Sequence, residues 1–137
     1  MTTQYWLVKT EPETYAWADL LRDKRTDWTG VRNYAARIHL KAMKEGDEVF
    51  VYHSGDDKSV VGIARVTKAA FPDPTADEDG WVAVALAAVA PLKQPVTLAQ
   101  IKTDVVAKGM TFVRQGRLSV SPVTAAEFAR VKKLGGG

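Results

Sequence analysis

The side chains that usually carry catalysis are spread along this sequence without a clear catalytic constellation. His39 and His53 are the two histidines, and a lone histidine is more often a hydrogen-bonded structural residue than a base. Glu11 and Glu13 stand two residues apart at the end of a predicted strand, where we expect them to face solvent or form a turn. No serine lies in a Gly-x-Ser-x-Gly elbow, and no glycine-rich phosphate loop occurs. We therefore predict no catalytic residue, no metal site and no cofactor, while an enzyme that uses Glu11 or His53 as acid or base stays an alternative.

A segment suited to recognition lies at residues 28–34, with the sequence WTGVRNY. Trp28 offers an aromatic face, and stacking on an unpaired base is worth roughly 1–3 kcal/mol. Gly30 permits close backbone approach, and a helix that begins at Asn33 would present free N–H groups to an anion or a base carbonyl. Arg32 would stack or contact phosphate, and the Asn33 amide is either a helix cap or a reader of a base edge. A core tryptophan, a turn glycine, a surface arginine and a capping asparagine explain the same residues, and the segment alone does not decide.

Composition excludes several other kinds of site. The 137 residues include no cysteine, which excludes a thiol nucleophile, a disulfide framework, a cysteine zinc site and an iron–sulfur cluster, and fits a reducing compartment. The polar N-terminus lacks a secretory pattern, and the longest weakly charged stretch, residues 81–92, is too short to span a bilayer. We expect a cytoplasmic protein without a membrane partner.

The net charge of +3 is unevenly distributed along the chain. Residues 1–79 carry 11 basic against 14 acidic side chains, whereas residues 80–137 carry 8 basic against 2 acidic ones. A basic half is compatible with a polyanionic partner, because each Lys or Arg near a phosphate releases condensed counterions. A solvated surface explains the same pattern, and on charge alone we favour that interpretation.

Local patterns predict the elements that hold these residues. Runs of β-branched and aromatic residues predict strands at 5–8, 48–52, 60–66 and 81–89. The turn residues between the second and third of these strands predict a hairpin. Residues 71–80, with two prolines and four acids, predict an exposed loop. Strands interrupted by short helices, without regular alternation, predict an α+β barrel with flanking helices.

Capping residues predict where the helices begin. Thr14 would cap the first helix and Asn33 the second. The side chains expected to face the core are Trp17, Leu20 and Leu21 in the first helix and Tyr34, Ile38 and Met43 in the second. The capping-box spacing, Thr three residues before Gln or Glu, occurs at Thr97/Gln100 and at Thr124/Glu127. It predicts two further short helices.

An ordered set of short motifs extends over nearly the whole chain. They are YWLVKTEP at 5–12, WTGVRNYAAR at 28–37, MKEGD at 43–47, YHS at 52–54, GIA at 62–64, AFPDPT at 70–75 and QGRLSVSPV at 115–123. Their order and spacing resemble the EVE domain family, which has many small bacterial members. The resemblance implies a single domain over residues 1–134 with a flexible glycine tail at 135–137. It also implies a PUA-like fold, a curved, open β-barrel of about five to six strands with short flanking helices.

The resemblance also implies a function. Members of this group are thought to hold a flipped base in an aromatic-walled pocket, so we expect a non-catalytic module that reads a methylated or hydroxymethylated base. The expected partner is DNA or RNA carrying such a base, and the expected state is a monomer. A small-molecule or nucleotide-binding module of the same fold, and an enzyme acting on a nucleobase, stay open as alternatives.

The resemblance places the pocket between the end of the first strand, the Gly-Val-Arg-Asn turn and the Tyr-His-Ser strand end. The base-binding residues that it implies are Lys9, Thr10, Glu11, Trp28, Val31, Arg32, Asn33, His53, Ser54, Arg117 and Ser119. Trp28 would form the principal wall, with Trp6 and Trp81 as weaker candidates. Ile38 stands where an asparagine is expected and indicates packing, so the predicted site is not extended into that helix.

Overall fold

Six strands form one mixed, open sheet in the computed structural model, which describes residues 3–136. The strands are β1 (Tyr5–Thr10), β2 (Arg25–Trp28), β3 (Glu48–His53), β4 (Ser59–Pro72), β5 (Val82–Thr97) and β6 (Val120–Val123). Their order across the sheet is β2-β5-β4-β3-β1-β6, with β1 parallel to β3 and the other neighbours antiparallel. The predicted α+β class, an open arrangement of about five to six strands with short flanking helices, is confirmed, and the six strands form an open sheet rather than a closed barrel.

Register shifts bend the long β4–β5 pair. The pairing shifts at four places, and a β-bulge at such a place bends a strand and increases its twist. The predicted hairpin between β3 and β4 is confirmed. β4 continues to Pro72, beyond its predicted end, and Asp73 directly after it is buried. The prediction of an exposed loop over residues 71–80 is therefore wrong at its beginning.

The two faces of the sheet carry separate hydrophobic clusters, because successive side chains of a strand point to opposite faces. Trp6 and Val8 of β1 belong to one cluster, and Leu7 belongs to the other. The helices are α1 (Trp17–Asp23), α2 (Tyr34–Ala42), α3 (Leu98–Thr103), α4 (Thr111–Arg114) and α5 (Ala125–Leu134). α1 and α2 cover the first face, and α3, α4 and α5 cover the second.

The inward face of α2 differs from the prediction. Tyr34 and Ile38 are 68% and 66% exposed, whereas Ala36, Leu40 and Met43 are buried. The buried positions follow the helical spacing of four and then three residues, and small Ala36 rather than large Tyr34 begins the stripe. Burial of Met43 was predicted correctly, but the inward orientation of Tyr34 and Ile38 was wrong.

The beginning of α1 also differs from the prediction. The helix begins at Trp17 rather than after Thr14, and Leu21 is exposed while Leu20 is buried. The Trp17 N–H donates to Nε2 of His53, 36 residues away, at 2.9 Å. Beside the local contact from the Ala16 N–H to Oδ2 of Asp19 at 2.7 Å, a side chain at the end of β3 therefore satisfies the first N–H of the helix, which local sequence could not reveal.

The other three predicted helix caps are confirmed. The Asn33 side chain accepts from the Ala36 N–H at 2.9 Å. Reciprocal capping boxes begin α3 at Thr97 and Gln100 and α5 at Thr124 and Glu127. None of the helices within residues 3–136 has the length and apolar character needed to cross a membrane.

The glycine tail follows α5 directly. The Gly135 N–H donates to the Val131 carbonyl, and the Gly135 carbonyl accepts from the Gln94 N–H at 3.2 Å. Gly137 lies outside the described residues. Flexibility of residues 135–137 stays a prediction.

Candidate functional site

A cavity of about 690 Å³ opens where the end of β1 meets the segment between β2 and α2. The parallel strands β1 and β3 end side by side, with Thr10 opposite His53. The Lys9 N–H donates to the Ser119 carbonyl at 2.9 Å, which brings the segment before β6 to the same edge. The cavity is lined by Lys9, Thr10, Glu11, Thr14, Tyr15, Thr26, Asp27, Trp28, Thr29, Gly30, Val31, Arg32, Asn33 and Ser119.

Most of the predicted base-binding residues share this cavity. Eight of the eleven line it: Lys9, Thr10, Glu11, Trp28, Val31, Arg32, Asn33 and Ser119. The other three, His53, Ser54 and Arg117, are not among its lining residues. That the eight bind a base stays a prediction.

Trp28 and Val31 form the apolar wall of the cavity. Trp28 is the last residue of β2, paired with Val84 of β5, and both wall residues are more than nine-tenths buried. The Tyr15 ring meets the Trp28 ring edge to face, with centroids 6.3 Å apart and planes at 84°. Because strand pairing and this aromatic contact both hold the indole, the wall is preorganised.

Tyr15 is itself anchored to α1. Its hydroxyl donates to Oδ2 of Asp23 at 2.8 Å. Burial raises the pKa of the Tyr15 phenol, and the Asp23 carboxylate raises it further against the opposing effect of Thr26. The phenol therefore stays protonated at neutral pH and keeps this donor role.

A buried carboxylate fixes the rim of the cavity. Asp73 accepts from the Gly30 N–H at 2.8 Å, from Nη1 of Arg32 at 3.0 Å and from both the N–H and hydroxyl of Thr75 at 2.7 Å. Burial by itself would raise the pKa of Asp73, but hydrogen bonds from Thr75, Gly30 and Arg32 outweigh burial and hold that pKa well below its ordinary value. Gly30 has a φ of +83°, a conformation that glycine adopts without strain. The rim turn is thus held by a carboxylate that is charged at neutral pH.

Asn33 stands where the rim turn becomes α2. Its Oδ1 atom accepts from the Ala36 N–H, so the side chain does act as the helix cap. The capping contact uses only the carbonyl half of the amide and leaves the Nδ2 amino group for other partners. Asn33 is exposed and lines the cavity, so capping and donation to a ligand are compatible in one side chain.

The β1 side of the cavity carries a lysine in an unusual environment. Nζ of Lys9 donates to the Gly116 carbonyl at 2.8 Å and lies 5.6 Å from the ring centroid of Phe112 and 5.8 Å from that of Tyr52. Burial lowers the pKa of Lys9 from its ordinary value. Next to it, the Thr10 hydroxyl donates to the Tyr15 carbonyl at 2.7 Å, which fixes the chain that follows β1.

His53 and Ser54 support the cavity from outside it. Nε2 of His53 accepts the Trp17 N–H, and Nδ1 lies 3.1 Å from Oδ2 of Asp57, so the neutral ring donates its Nδ1 proton to that carboxylate. The Ser54 N–H and hydroxyl both point to the Thr10 carbonyl, at 2.9 and 3.3 Å. These two residues do not line the cavity, and their polar atoms are engaged by Trp17, Asp57 and Thr10; that they contribute to base binding stays a prediction.

Arg117 and the two weaker tryptophan candidates also lie apart from the main cavity. Arg117 and Ser119 precede β6 rather than belong to it, and Arg117 lines a cleft of about 270 Å³ that shares Asn33 with the cavity. Trp6 is buried, and its Nε1 donates to Oδ2 of Asp47 at 2.9 Å. Trp81 lies outside the wall, with its ring centroid 5.8 Å from Cζ of Arg32.

Two structural supports of the site were missed by the sequence reasoning, Tyr15 and Asp73. Tyr15 follows the predicted first strand without a periodic pattern. Asp73 stands between two prolines in an acidic segment that resembles a solvated loop. The signal that could have marked Asp73 is the Asp-Pro-Thr sequence, because an aspartate commonly accepts from the N–H two residues later in a turn.

Residues 4–134 match the model of the EVE domain. The chain belongs to the EVE domain family. Among curated EVE relatives, thymocyte nuclear protein 1 from Mus musculus is 36% identical over 166 aligned positions, which cover 96% of this chain and 74% of the mouse protein.

Solved structures confirm that the EVE fold extends over nearly the whole chain. Rpa0253 from Rhodopseudomonas palustris has a TM-score of 0.92 at 44% identity, with 98% of this chain and 94% of that chain covered. The human THYN1 protein has a TM-score of 0.89 at 31% identity, with 98% of this chain and 99% of that chain covered. The human protein was crystallised in complex with DNA that contains 5-methylcytosine.

Proposed function

We propose that this EVE protein reads a modified base, which it holds flipped out of a nucleic-acid strand in the cavity beside Trp28. The observation that carries the proposal is the combination of a buried apolar wall with polar groups at its rim, in one cavity of about 690 Å³. That volume lies within the range of about 300–1,000 Å³ usual for small-ligand sites. The human relative in complex with 5-methylcytosine DNA supports a modified base as the ligand.

The wall supplies the energy for holding the base. Extracting a base from a duplex costs a few kcal/mol of stacking and pairing. Stacking on Trp28 offsets roughly 1–3 kcal/mol of that cost. A methyl group that contacts Val31 adds up to about 0.8 kcal/mol for each buried carbon, so a methylated base gains over an unmodified one.

The rim supplies orientation. The Nδ2 group of Asn33 and the guanidinium of Arg32 are donors at the cavity edge and suit acceptors on a base edge. Arg32 is held by Asp73 and by Oγ1 of Thr75 at 3.0 Å, so little side-chain entropy is lost when it binds. Glu11 and Asp27 also line the cavity, so its charge is mixed, and we expect selectivity to depend on shape and hydrogen bonds more than on charge.

Phosphate contacts add affinity without selectivity. Lys9 and Arg32 line the cavity, and Arg117 stands in the adjoining cleft. Cations at these positions attract the phosphate backbone of a nucleic acid whatever its base sequence, and their contribution to affinity falls as the salt concentration rises.

The decisive experiment is a fluorescence-polarisation screen at two salt concentrations. The probes are short DNA and RNA oligonucleotides with one unmodified, 5-methylated, 5-hydroxymethylated or N-methylated base. We expect one modification to bind about tenfold or more tightly than its unmodified counterpart, a preference that Trp28→Ala removes. Val105→Ala is the control, because Val105 is 82% exposed and does not line the cavity. Uniform binding that vanishes with salt would contradict the proposal.

Trp28 is buried, so loss of binding in Trp28→Ala must be separated from loss of the fold. Thermal unfolding followed by circular dichroism identifies a variant that is unfolded at the assay temperature. Trp28→Phe is the second variant, since it keeps an aromatic face in the wall with a smaller stacking area. We expect it to fold and to retain part of the preference.

A further inference from the structure

An exposed aromatic pair stands beside the cavity but is not part of it. The rings of Tyr34 and Trp81 have centroids 5.2 Å apart with planes inclined at 36°. Tyr34 is 68% exposed, the first residue of α2, and Trp81 is half-buried directly before β5. A large aromatic ring on the surface, ordered by a neighbour rather than by the core, offers a flat face to a partner.

Arg37 holds the pair together. Its Cζ atom lies 4.9 Å from the Tyr34 ring centroid and 4.6 Å from that of Trp81. Its Nη1 atom donates to the Gly80 carbonyl at 3.2 Å. Stacking and hydrogen bonding therefore fix three planar groups in one place, and we call Tyr34, Arg37 and Trp81 the aromatic ledge.

The aromatic ledge is continuous with the cavity rim. Cζ of Arg32 lies 5.8 Å from the Trp81 ring centroid, and the same side chain lines the cavity. Asn33, which caps α2 at the cavity edge, directly precedes Tyr34. A nucleic-acid strand with one base in the cavity would therefore bring the nucleotide next to that base towards the ledge.

We propose that the aromatic ledge stacks the base next to the flipped base; this inference rests on the proposed function. Base stacking on an aromatic face tolerates any sequence, because every base presents a π-face. Arg37 adds a positive charge to the ledge, but the acidic residues Asp77, Glu78 and Asp79 just before Trp81 oppose the attraction of phosphates to it. The ledge therefore takes the base rather than the backbone, and the phosphates follow the side of Lys9 and Arg117.

The test uses an oligonucleotide with the preferred modified base and the fluorescent base 2-aminopurine beside it. Stacking on an aromatic side chain quenches 2-aminopurine. We expect quenching on binding to the wild-type protein and to Tyr34→Phe, but not to Tyr34→Ala. Tyr34→Ala should bind modified and unmodified probes about tenfold more weakly while their affinity ratio stays unchanged.

Ile38→Ala is the matched control, because Ile38 lies one turn further along α2, is 66% exposed and has no part in the ledge. It should leave affinity and quenching as in the wild type. Modification-dependent binding with equal affinity and quenching in Tyr34→Ala would overturn this inference and leave the proposed function standing. Absence of any modification preference in the wild-type protein would overturn both.

Discussion

The carboxylate of Asp73 and the backbone of Gly30 are joined by a hydrogen bond of 2.8 Å across 43 residues of sequence. This contact attaches the loop after β4 to the turn that forms the cavity rim, and Arg32 makes a second link to the same carboxylate at 3.0 Å. A strand end and a turn from distant parts of the chain thus act as one rigid body at the site. Substitution of Asp73 therefore tests directly whether the rim of the candidate site is preorganised.

Replacing Asp73 with Asn should destabilise the fold and loosen the rim. The amide keeps one acceptor but turns an amino group towards donors, and an unpaired buried polar group costs about 1–3 kcal/mol. We expect a lower free energy of unfolding in urea at neutral pH and weaker discrimination between modified and unmodified probes. Asp77→Asn, in the exposed part of the loop, is the control and should change neither.

The same variant predicts a pH dependence with a definite sign. The pKa of Asp73 is depressed in the folded state, so its contribution is fully present above the ordinary value of 3.8 and is lost as pH falls further towards the folded-state pKa. The stability difference between wild type and Asp73→Asn should therefore be constant at neutral pH and shrink below that value. A difference that grows on acidification would contradict this role.

Replacing Gly62 with Ala should destabilise the protein through one aromatic contact. A Cβ at residue 62 would lie 2.5 Å from Cε2 and Cζ2 of Trp17, closer than atoms can approach, and neither β4 nor the buried indole can move freely. Overpacking of this kind costs typically 1–3 kcal/mol. Urea denaturation measures the loss, with Gly116→Ala as control, because nothing lies within 4 Å of a Cβ there. Equal midpoints for the two variants would show that the core adapts.

The parts of the fold that local sequence determines were predicted well. The caps at Asn33, Thr97 and Thr124 depend on side chains within three residues, so their pattern is visible without tertiary information. The alternating strands and the α+β class follow from the same short-range regularities. β2 was missed as a strand because its four residues, RTDW, carry little apolar signal and depend on pairing with β5.

The parts that depend on distant contacts were predicted poorly. His53 carries the type of side chain expected at a site, but its ring faces the N–H of Trp17 and the carboxylate of Asp57. Asp73 has the composition of a loop and is buried only because Gly30 and Arg32 reach it. The family resemblance predicted eight residues that do line one cavity, because the order and spacing of its motifs reflect the fold. Hydrogen bonds between residues 36 to 43 positions apart produce no recognisable local sequence pattern.

His53→Ala should weaken the fold without a specific effect on base preference. The substitution leaves the buried Trp17 N–H without its acceptor and opens a small cavity, which together should cost about 2 kcal/mol. Chemical denaturation measures the stability, and the polarisation assay measures the ratio of affinities for modified and unmodified probes. Asp57→Asn is the control, because that half-exposed partner retains an acceptor oxygen. A changed affinity ratio in a folded His53→Ala protein would place the ring in recognition.

Lys9→Gln should reduce the salt dependence of binding. If Lys9 contacts one phosphate, its loss should decrease the slope of log K against log salt by about 0.9 for duplex DNA or about 0.7 for a single strand. Lys132→Gln, at an exposed position of α5 that does not line the cavity, should leave the slope unchanged. Burial lowers the pKa of Lys9, so Lys9 should lose its charge at a lower pH than an exposed lysine as pH rises. Its contribution to the salt slope should be lost at that lower pH. An unchanged slope in Lys9→Gln would remove this residue from the phosphate path.

Asn33→Asp separates the two roles that the structure gives to one side chain. Asparagine and aspartate cap helices about equally well, so the free energy of unfolding should change by less than about 0.5 kcal/mol. The variant loses the Nδ2 donor, however, and should bind the preferred modified probe about tenfold or more weakly.

The added negative charge of Asn33→Asp would also repel phosphates, so an uncharged control variant is needed. Asn33→Ser keeps the cap and adds no charge, but its hydroxyl is too short to reach where Nδ2 reaches. If both variants lose the preference for the modified probe to the same extent, the amide reads the base edge. If only Asn33→Asp binds more weakly, and the weakening depends on salt, Asn33 acts as a helix cap only.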